Sequence, residues 1–430
     1  MPEKSSFAET AAVAKAAAVG QAGDKANGDV GAEGARGDAA LPAPLGEDGR
    51  RKAVEAYRQP YVIPDTFPEK SQVHAAIPAH CFERSLWKSM SYAALSVFLT
   101  VAFPILAWKV LPVPSWSNPL SVLAWAVFAF WQGTIATGCW VVAHECGHRA
   151  FCDSNLIQDA VGFVLHSALL VPYFSWQRSH AVHHSRTNHM SQGETHVPAG
   201  ATTKEGAAQM NLERWIGEDA FAIVNLFNHL VLGWPMYLMT GATGSPERGF
   251  SNHFVPTNGK LFPDSWKWKV LLSDVGILVT LALLFKWAQV AGTPQVLVLY
   301  AFPYLFTNMW LVLYTWLQHT DVDVPHYEDK NWTWIKGAFM TVDRPYPEPF
   351  DFLHHRIGST HVAHHLFSTI PHYHAREATE AVKQAFPEHY LYDPTPIVPA
   401  LWRVAAKCVA TVPEGNRQYY TYVNGHGKAE

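Results

Sequence analysis

Cysteine is scarce in this sequence and is not spaced for cross-linking. Five cysteines occur among 430 residues, an odd number, and no two of them form a Cys-X-X-Cys pair. This argues against a disulfide scaffold and against a zinc site built from cysteines, and it favours a reducing, cytosol-facing chemistry. An excess of basic residues is also missing, because the formal net charge is -4. The composition therefore gives no reason to expect a nucleic-acid partner.

The N-terminal segment lacks the apolar residues that a folded core needs. Residues 1–55 are rich in alanine and glycine, mix acidic with basic residues and contain one aromatic residue, Phe7. Such a segment buries too little apolar surface to offset its ordering entropy, so we predict a disordered tail. It also lacks the apolar core of a signal peptide, and its many acidic residues argue against a transit peptide.

Long apolar runs organise the rest of the chain, although the mean hydropathy is only -0.03. After a polar lead-in at residues 56–89, the predicted functional domain covers residues 90–412, and residues 413–430 form a C-terminal tail without a clear signal. Runs of about 20 residues suffice to cross a bilayer as helices. The predicted transmembrane helices are at about residues 92–111, 120–143, 270–291 and 296–317. They pair into two hairpins with short loops.

Eight histidines fall into three clusters, which we call the histidine boxes. They are His144-Glu-Cys-Gly-His148, His180-Ala-Val-His183-His184 and His361-Val-Ala-His364-His365. Positions i, i+3 and i+4 share one face of a helix, so we expect each box to aim its imidazoles at a single point. Neutral imidazole suits divalent iron, copper and zinc. Because eight ligands exceed the needs of one ion, the pattern predicts two metal ions in one site.

The boxes constrain the topology, because they must meet on one side of the membrane. The second and third boxes are then separated by an even number of crossings. We therefore assign the polar-substituted runs 156–174 and 221–239 to interfacial helices and the polar stretch 193–215 to a loop. Basic residues concentrate on the box side, which predicts that the boxes and both termini are cytosolic. These basic residues are Arg149, Arg178, Arg186, Lys267, Lys269, Arg344, Arg356 and Arg376.

The first box by itself also fits a different chemistry. His-Glu-X-X-His is the zinc-protease pattern, with two histidine ligands and Glu145 as general base. An intramembrane protease would need a third ligand, for which Asp274 is the candidate, although its position also fits the cytosolic end of a helix. This hypothesis leaves six box histidines unused. A histidine-rich metal carrier is a further hypothesis, but it would place ligands along the membrane helices.

An all-nitrogen site with two irons suits dioxygen activation instead, with attack on an unactivated C–H bond. A site at the bilayer surface fits an acyl chain that enters from the lipid. Glu145 would then orient an imidazole through its free N–H group. A ninth ligand is expected at His319, directly after the fourth membrane helix. The histidines that we place around the site or at the surface, without a metal, are His189, His196, His354, His355, His372 and His374.

With these motifs the chain resembles the membrane fatty acid desaturases, most closely the microsomal acyl-lipid group with the Δ12 (oleate) and ω-3 enzymes. The resemblance covers about residues 76–393 and is carried by AIPAHCFERS, HECGH, SWQRSHAVHH, LQHTD, TVDR and STHVAHHLFSTIPHYHA. It implies an all-α integral membrane protein with four transmembrane helices and a cytosolic helical cap that holds a di-iron site. The implied ligands are His144, His148, His180, His183, His184, His361, His364 and His365, with His319 as the family's additional histidine.

The resemblance also implies a reaction and an electron supply. The expected enzyme uses O2 and electrons from NADH, delivered through cytochrome b5 reductase and cytochrome b5. No His-Pro-Gly-Gly haem motif is present, so cytochrome b5 is expected as a separate protein, docking on the basic residues of the box side. The expected reaction is insertion of a cis double bond at Δ12 of oleoyl chains on a lipid of the endoplasmic reticulum membrane. Alternatives are ω-3 desaturation and hydroxylation, because a sub-ångström difference in chain position need not show in the sequence.

Two positions depart from the family pattern. Ala181 and Val182 separate the histidines of the second box, where plant relatives usually carry basic or polar residues. Ser359 precedes the third box, where an aspartate is common. Neither change removes a ligand, so we expect the chemistry to be retained.

Overall fold

A computed structural model describes residues 61–415, 417–425 and 427–428. The predicted disordered tail at residues 1–55 lies outside these residues. In chain order the helices are α1 (Lys70–Ala76), α2 (Leu86–Val110), α3 (Pro119–Gly147), α4 (Asn155–Ala168), α5 (Tyr173–Ser185), α6 (Lys204–Ile216), α7 (Glu218–Phe227), α8 (Gly233–Thr240), α9 (Lys267–Ala291), α10 (Thr293–Val296), α11 (Phe302–His319), α12 (Trp334–Phe339), α13 (Glu348–Leu353), α14 (His361–Leu366), α15 (His372–Ala385) and α16 (Ile397–Lys407). Two π-helical turns, Asn228–Leu232 and Leu297–Ala301, join α7 to α8 and α10 to α11.

Among the residues that the structure describes, five continuous helical segments are long and apolar enough to cross a membrane. They are Leu86–Val110, Pro119–Gly147, Glu218–Thr240, Asp264–Ala291 and Thr293–His319. Four of these segments each contain nearly all of one predicted membrane helix and are a few residues longer. The fifth segment, Glu218–Thr240, contains the run 221–239, which we predicted to be an interfacial helix because of its polar residues. A sixth span is possible if the bent pair Asn155–Ala168 and Tyr173–Ser185 crosses as one. Length and composition therefore allow one or two spans more than predicted, and the four-span topology stays a prediction.

The apolar run 156–174 is divided between two helices. α4 and α5 meet at a bend of 105°. A Cβ atom at Gly162 would lie 2.4 Å from the Tyr173 ring, so Tyr173 at the start of α5 packs directly on the α4 backbone. The bend brings α5, with the second box, against the end of α3.

α3 is the central helix, packing against α2, α4 and α11. Its approach to α11 is close, because a Cβ atom at Gly133 would lie 2.5 Å from the Pro303 carbonyl oxygen. Two hydrogen bonds fix the register: Thr307 Oγ1 donates to the Gly133 carbonyl over 3.1 Å, and Trp310 Nε1 donates to Thr134 Oγ1 over 2.9 Å. The C-terminal ends of α3 and α11 consequently lie side by side.

Regular structure also forms where the sequence pattern is weak. The stretch 193–215 was expected to be a loop, but it contains most of α6, whose first turn is capped by Thr203 Oγ1 accepting from the Gly206 amide over 3.1 Å. The C-terminal residues form a three-stranded antiparallel sheet of β1 (Ala410–Pro413), β2 (Tyr420–Asn424) and β3 (Gly427–Lys428). The protein is therefore mainly helical, with a small sheet at its end.

Candidate metal centre

Five histidines converge at the C-terminal end of α3 and form what we call the first group. Their ligand atoms all lie within 4.8 Å of one another. The Nε2 atom of His148 is 3.2 Å from Nε2 of His144, and the Nε2 atoms of His180 and His184 are also 3.2 Å apart. The members are His144, His148, His180, His184 and His364. All three boxes therefore contribute to this group.

The second group lies at the end of α11, around His319. His183, His319 and His365 have ligand atoms within 4.8 Å of one another. The Nε2 atom of His319 is 3.1 Å from Nε2 of His183 and 2.9 Å from Nε2 of His361. These four histidines complete the nine predicted ligands, and the structure brings all nine together.

The expectation that each box aims at one point is wrong for the second and third boxes. On α5, His180 and His184 belong to the first group, whereas His183 belongs to the second. His183 and His184 are consecutive residues, so they point about 100° apart around the helix axis. The third box divides in the same way. Two boxes thereby link the two groups, and the His184 and His365 rings stack with centroids 4.0 Å apart.

The donor set fits two divalent transition-metal ions. The Nε2 atoms of His364 and His365 are buried and have no hydrogen-bond partner among the described residues, which is costly unless another ligand completes them. Burial, together with neighbouring imidazoles, lowers the pKa of His148, His361 and His365 well below the usual value. These side chains are thus neutral near pH 7, the form that binds metal. Nitrogen-only groups of five and four ligands are compatible with a di-iron site.

Two side chains lie against ligand histidines from outside the groups. Glu145 Oε1 lies 3.3 Å from Nδ1 of His144, and its Oε2 accepts a hydrogen bond from the His372 amide over 2.9 Å. Thr187 Oγ1 lies 3.1 Å from Nδ1 of His365. Such partners fix the tautomer and direction of a ligating imidazole. Glu145 therefore lies beside His144, but its orienting role stays a prediction, because Nδ1 of His144 has no hydrogen-bond partner among the described residues.

The grouping gives no support to a zinc protease. Such an enzyme needs a third protein ligand beside His144 and His148. Within the described residues, Asp274 is not grouped with them, and three further histidines are. The ligands also lie beyond or at the ends of the apolar helices rather than along them, which argues against a metal carrier.

A carboxylate that is distant in sequence holds the helix of the third box. Asp343 Oδ1 accepts from the amides of His361 and Val362, over 2.5 and 3.0 Å, and Oδ2 accepts from the Tyr390 hydroxyl over 2.7 Å. Burial raises the pKa of Asp343 to about 6, against the opposing effect of these hydrogen bonds. Thr360, the residue at the helix start, makes no capping bond of its own. Asp343 therefore caps α14 in its place.

The next residue, Arg344, belongs to a buried ion-pair network. Its guanidinium contacts Asp321, 2.6 Å away, and Asp393, while Arg403 contacts the same two carboxylates. Burial by itself would raise the pKa of Asp321, but the two guanidinium groups outweigh it and hold the pKa below its usual value. The network connects the segment after His319 to the segment before the third box. By joining these two segments, the network stabilises the second histidine group.

Other histidines have structural contacts rather than a place in either group. His354 lies between helices, with Nδ1 2.7 Å from the Tyr314 hydroxyl and Nε2 2.8 Å from the Thr134 carbonyl oxygen. His355 Nε2 is 2.9 Å from Ser96 Oγ. Both are buried, so neither is a surface residue. His196 is closer to the centre, with its ring stacked 5.2 Å from that of His319.

An apolar cavity of about 360 Å³ opens beside both histidine groups. His180 of the first group and His183 of the second both line it. Its volume lies within the range of small-molecule pockets, roughly 300–1,000 Å³. Further lining residues are Trp140, Trp176, Gly233, Trp234, Met236, Leu311, Val312 and Thr315.

A polar cluster beside the cavity was not anticipated from the sequence. The Tyr237 hydroxyl lies 2.9 Å from Ser179 Oγ and 3.1 Å from Glu194 Oε1, and His253 Nε2 is 2.9 Å from the same Ser179 Oγ. Burial raises the pKa of Glu194 to about 8. These residues come from four separate segments, so no local spacing could have revealed them.

Comparison with known proteins agrees with this centre. Residues 120–395 match the family model described as fatty acid desaturase. The chain belongs to the fatty acid desaturase family. This desaturase is therefore an oxidoreductase of lipid metabolism, and its apolar helices make it a membrane protein.

Its relatives include plant enzymes that are named as desaturases and one that is named as a hydroxylase. It is 41% identical over 377 residues to the omega-6 fatty acid desaturase, endoplasmic reticulum isozyme 2, of Glycine max, which covers 86% of this chain and 96% of that one. It is 40% identical over 384 residues to the delta(12)-fatty-acid desaturase of Arabidopsis thaliana, covering 88% and 95%. It is 42% identical over 339 residues to the oleoyl-12-hydroxylase of Ricinus communis, covering 79% and 85%.

Proposed function

We propose that this desaturase inserts a cis double bond at Δ12 of oleoyl chains carried on membrane lipids. The observation that carries the proposal is the apolar cavity, which lies between α8 and α11 and is lined by His180 and His183. An acyl chain in this cavity would lie beside both histidine groups. The relatives named as Δ12 and omega-6 desaturases support the position of the double bond.

The two histidine groups would hold two iron ions, the first group one and the second group the other. When bound, the irons supply the activation of O2 that removal of two hydrogens from an unactivated chain requires. In the balanced reaction, two hydrogen atoms from the chain, two electrons and two protons reduce one O2 to two waters. We propose NADH as the electron source, through cytochrome b5 reductase and a separate cytochrome b5.

The protein's own side chains position the substrate and keep water away. Trp176 stacks on the His180 ring with centroids 4.4 Å apart, and Trp140 packs edge-on against Trp176 at 5.3 Å. Leu311 and Val312 of α11 also line the cavity and present aliphatic surface to it. An alkyl chain gains from this apolar contact. We propose that these walls hold a methylene of the chain beside the histidine groups.

We propose that the centre and both termini face the cytosol of the endoplasmic reticulum membrane, with four membrane helices in two hairpins. A donor protein would dock on exposed basic residues of that side. Lys267 and Arg376 are exposed and are suited to this role. The sequence also predicted that Arg344 contributes to this docking surface. That prediction is wrong, because Arg344 is buried and paired with Asp321 and Asp393.

The test is a fatty-acid profile of yeast, which makes oleate but no polyunsaturated acids, expressing this chain. Linoleate should form with the wild type and should be absent with the His364→Ala variant. His389→Ala is the matched control, because His389 lies outside both groups and bonds the Thr66 carbonyl. Equal linoleate from wild type and His364→Ala, at equal expression, would overturn the assignment of the centre.

The same profile separates the alternative reactions. The 42% identity to an oleoyl-12-hydroxylase makes hydroxylation the second candidate. A hydroxylated oleate as the main product would replace the Δ12 proposal with this one. Cultures fed linoleate test the third reaction, since linolenate formed only there indicates ω-3 desaturation.

A further inference from the structure

A second cluster of metal-ligating side chains lies outside the nine histidines. It consists of His80, Cys81, His374 and Glu377, whose ligand atoms all lie within 4.8 Å of one another. His80 Nε2 is 2.9 Å from Glu377 Oε2 and 3.9 Å from Cys81 Sγ. The His80 and His374 rings have centroids 5.5 Å apart. Four donor groups of three chemical types therefore converge on one point.

Two elements that are far apart in sequence supply these side chains. His80 and Cys81 lie on the 3-10 turn Ala79–Phe82, which follows α1. His374 and Glu377 lie three residues apart on α15, so they share one helix face. The two elements are also joined nearby, because the Ser85 amide donates to the Tyr373 hydroxyl over 2.9 Å. Neither element belongs to a helix that is long enough to span the membrane.

We propose that these four side chains bind a zinc ion. Thiolate, imidazole and carboxylate are the usual zinc ligands, and four protein ligands close a tetrahedral structural site. Normal zinc bond lengths place neighbouring ligand atoms about 3.3–3.6 Å apart in a tetrahedron. The 2.9 and 3.9 Å separations around His80 lie on either side of that range, so small side-chain rotations would complete the geometry. The thiolate and the carboxylate together neutralise the charge of the ion.

The sulfur donor distinguishes this site from the histidine centre. Imidazole nitrogens suit iron, copper and zinc, whereas a thiolate combined with imidazole and carboxylate favours zinc. Cys81 is fully buried, while the side chains of His80 and Glu377 are 51% and 50% exposed. An ion can therefore enter from solvent and reach a sheltered sulfur. An exposed His–Glu pair contributes little to stability by itself, so the ion would add a link to the apolar packing of Cys81 with Ala378 and Val382 of α15.

The site is connected to the histidine centre through α15. The first residue of this helix, His372, donates its amide to Glu145, which in turn contacts His144. A zinc ion on His374 and Glu377 would fix the first turn of the helix against the 3-10 turn. Zinc would thereby hold α15, whose first amide donates to Glu145, in place.

Cobalt(II) is the sharpest probe, because a thiolate ligand gives it an intense near-ultraviolet charge-transfer band. The full-length protein, purified in detergent and loaded with iron, would be titrated with Co2+. The wild type should bind one Co2+ per chain with this band, and added Zn2+ should remove it. The nine-histidine centre contains no sulfur donor, so it cannot produce the band. Absence of the band from iron-loaded wild type would overturn the proposal.

Three variants identify the sulfur and the site. Cys81→Ser should abolish the band, and His374→Asn should weaken Co2+ binding at least tenfold. Cys146→Ser is the control, because Cys146 lies within the first box but belongs to neither histidine group. The Cys146→Ser variant should keep the charge-transfer band. A band that survives in Cys81→Ser and disappears in Cys146→Ser would place the ion elsewhere and reject the site.

Zinc stoichiometry and thermal melting give a readout that does not depend on activity. Wild-type protein purified with zinc in the medium should carry one Zn2+ besides iron, and chelation should lower its melting temperature. His374→Asn, which changes a partly exposed side chain, should carry no zinc, and chelation should lower its melting temperature less than that of the wild type, because only the iron is then removed. Equal zinc contents in the wild type, Cys81→Ser and His374→Asn would contradict the proposal.

Discussion

His365 and Thr187 are joined across 178 positions of sequence by a contact of 3.1 Å between Nδ1 and Oγ1. The Thr187 hydroxyl already donates to the His183 carbonyl over 2.8 Å, so it accepts the proton on Nδ1 of His365. That tautomer leaves Nε2 of His365 unprotonated. A residue beyond the second box thus prepares a ligand of the third box to bind metal.

This contact predicts different effects for two substitutions of Thr187. Thr187→Val removes the hydroxyl at nearly equal volume, whereas Thr187→Ser keeps it. We expect the valine variant to lose about 10–100-fold in metal affinity, as is usual when such partners are removed, and the serine variant to stay near wild type. Iron content measured against graded chelator concentrations checks this. Equal iron retention in both variants would show that the hydroxyl is unimportant.

The cap on α14 predicts that Asp343 stabilises the third box. Asp343→Ala leaves two buried amides without an acceptor, which should lower the free energy of unfolding by about 1–3 kcal/mol. Iron content should fall with it, because the helix carries three of the nine histidines. Asp343→Asn retains one acceptor oxygen and should fall between alanine and wild type. Thermal melting and iron analysis of the three proteins provide the measurement, and identical melting of wild type and Asp343→Ala would refute the cap.

His319 is predicted to bind metal as strongly as the box histidines do. Its Nε2 atom is within 3.1 Å of Nε2 of both His183 and His361. His319→Ala should therefore abolish product formation and reduce iron to about half, since the first group is left intact. His389→Ala serves as the control. Full iron content with normal linoleate in His319→Ala would remove it from the ligand set.

Because Thr315 lines the cavity, we predict that a large side chain at this position blocks entry of the substrate. Thr315→Trp would fill space beside the histidine groups, so product should fall at least tenfold while iron content stays unchanged. Leu305→Trp on the same helix is the matched control, because Leu305 is 49% exposed and does not line this cavity. Yeast fatty-acid profiles and iron analysis report the two effects separately. Equal losses of product in both variants would indicate general damage to α11.

The burial of Glu194 predicts that the stability of the folded protein depends on pH. Burial raises its pKa from 4.5 to about 8, so between these values the folded protein keeps a proton that the unfolded chain has lost. The free energy of unfolding therefore falls as pH rises through this window. Glu194→Gln imitates the protonated form and lacks this slope. The melting temperature of the wild type should fall relative to the variant from about pH 5 to about pH 8, and parallel curves would contradict the shifted pKa.

The boxes and the main apolar helices could be predicted from the sequence because both are local patterns. Hydropathy over about 20 residues marks a helix that suits a membrane, and the spacing of His144 and His148 marks a shared helix face. The same patterns were insufficient for α6 and for the C-terminal sheet. Capping by Thr203 and pairing of β1 with β2 decide those elements, and neither has a strong local signature.

The sequence by itself determined which residues we expect to bind metal, because the spacing of the histidines in the three boxes is a local pattern. Only the tertiary structure decided how they are shared. The packing of α5 and α14 against the ends of α3 and α11 sends His183 to one group and His184 to the other. It also brings Asp343 to α14, Thr187 to His365 and Cys81 to His374. These contacts join segments that are distant in the chain, and packing in three dimensions selects them where local spacing cannot.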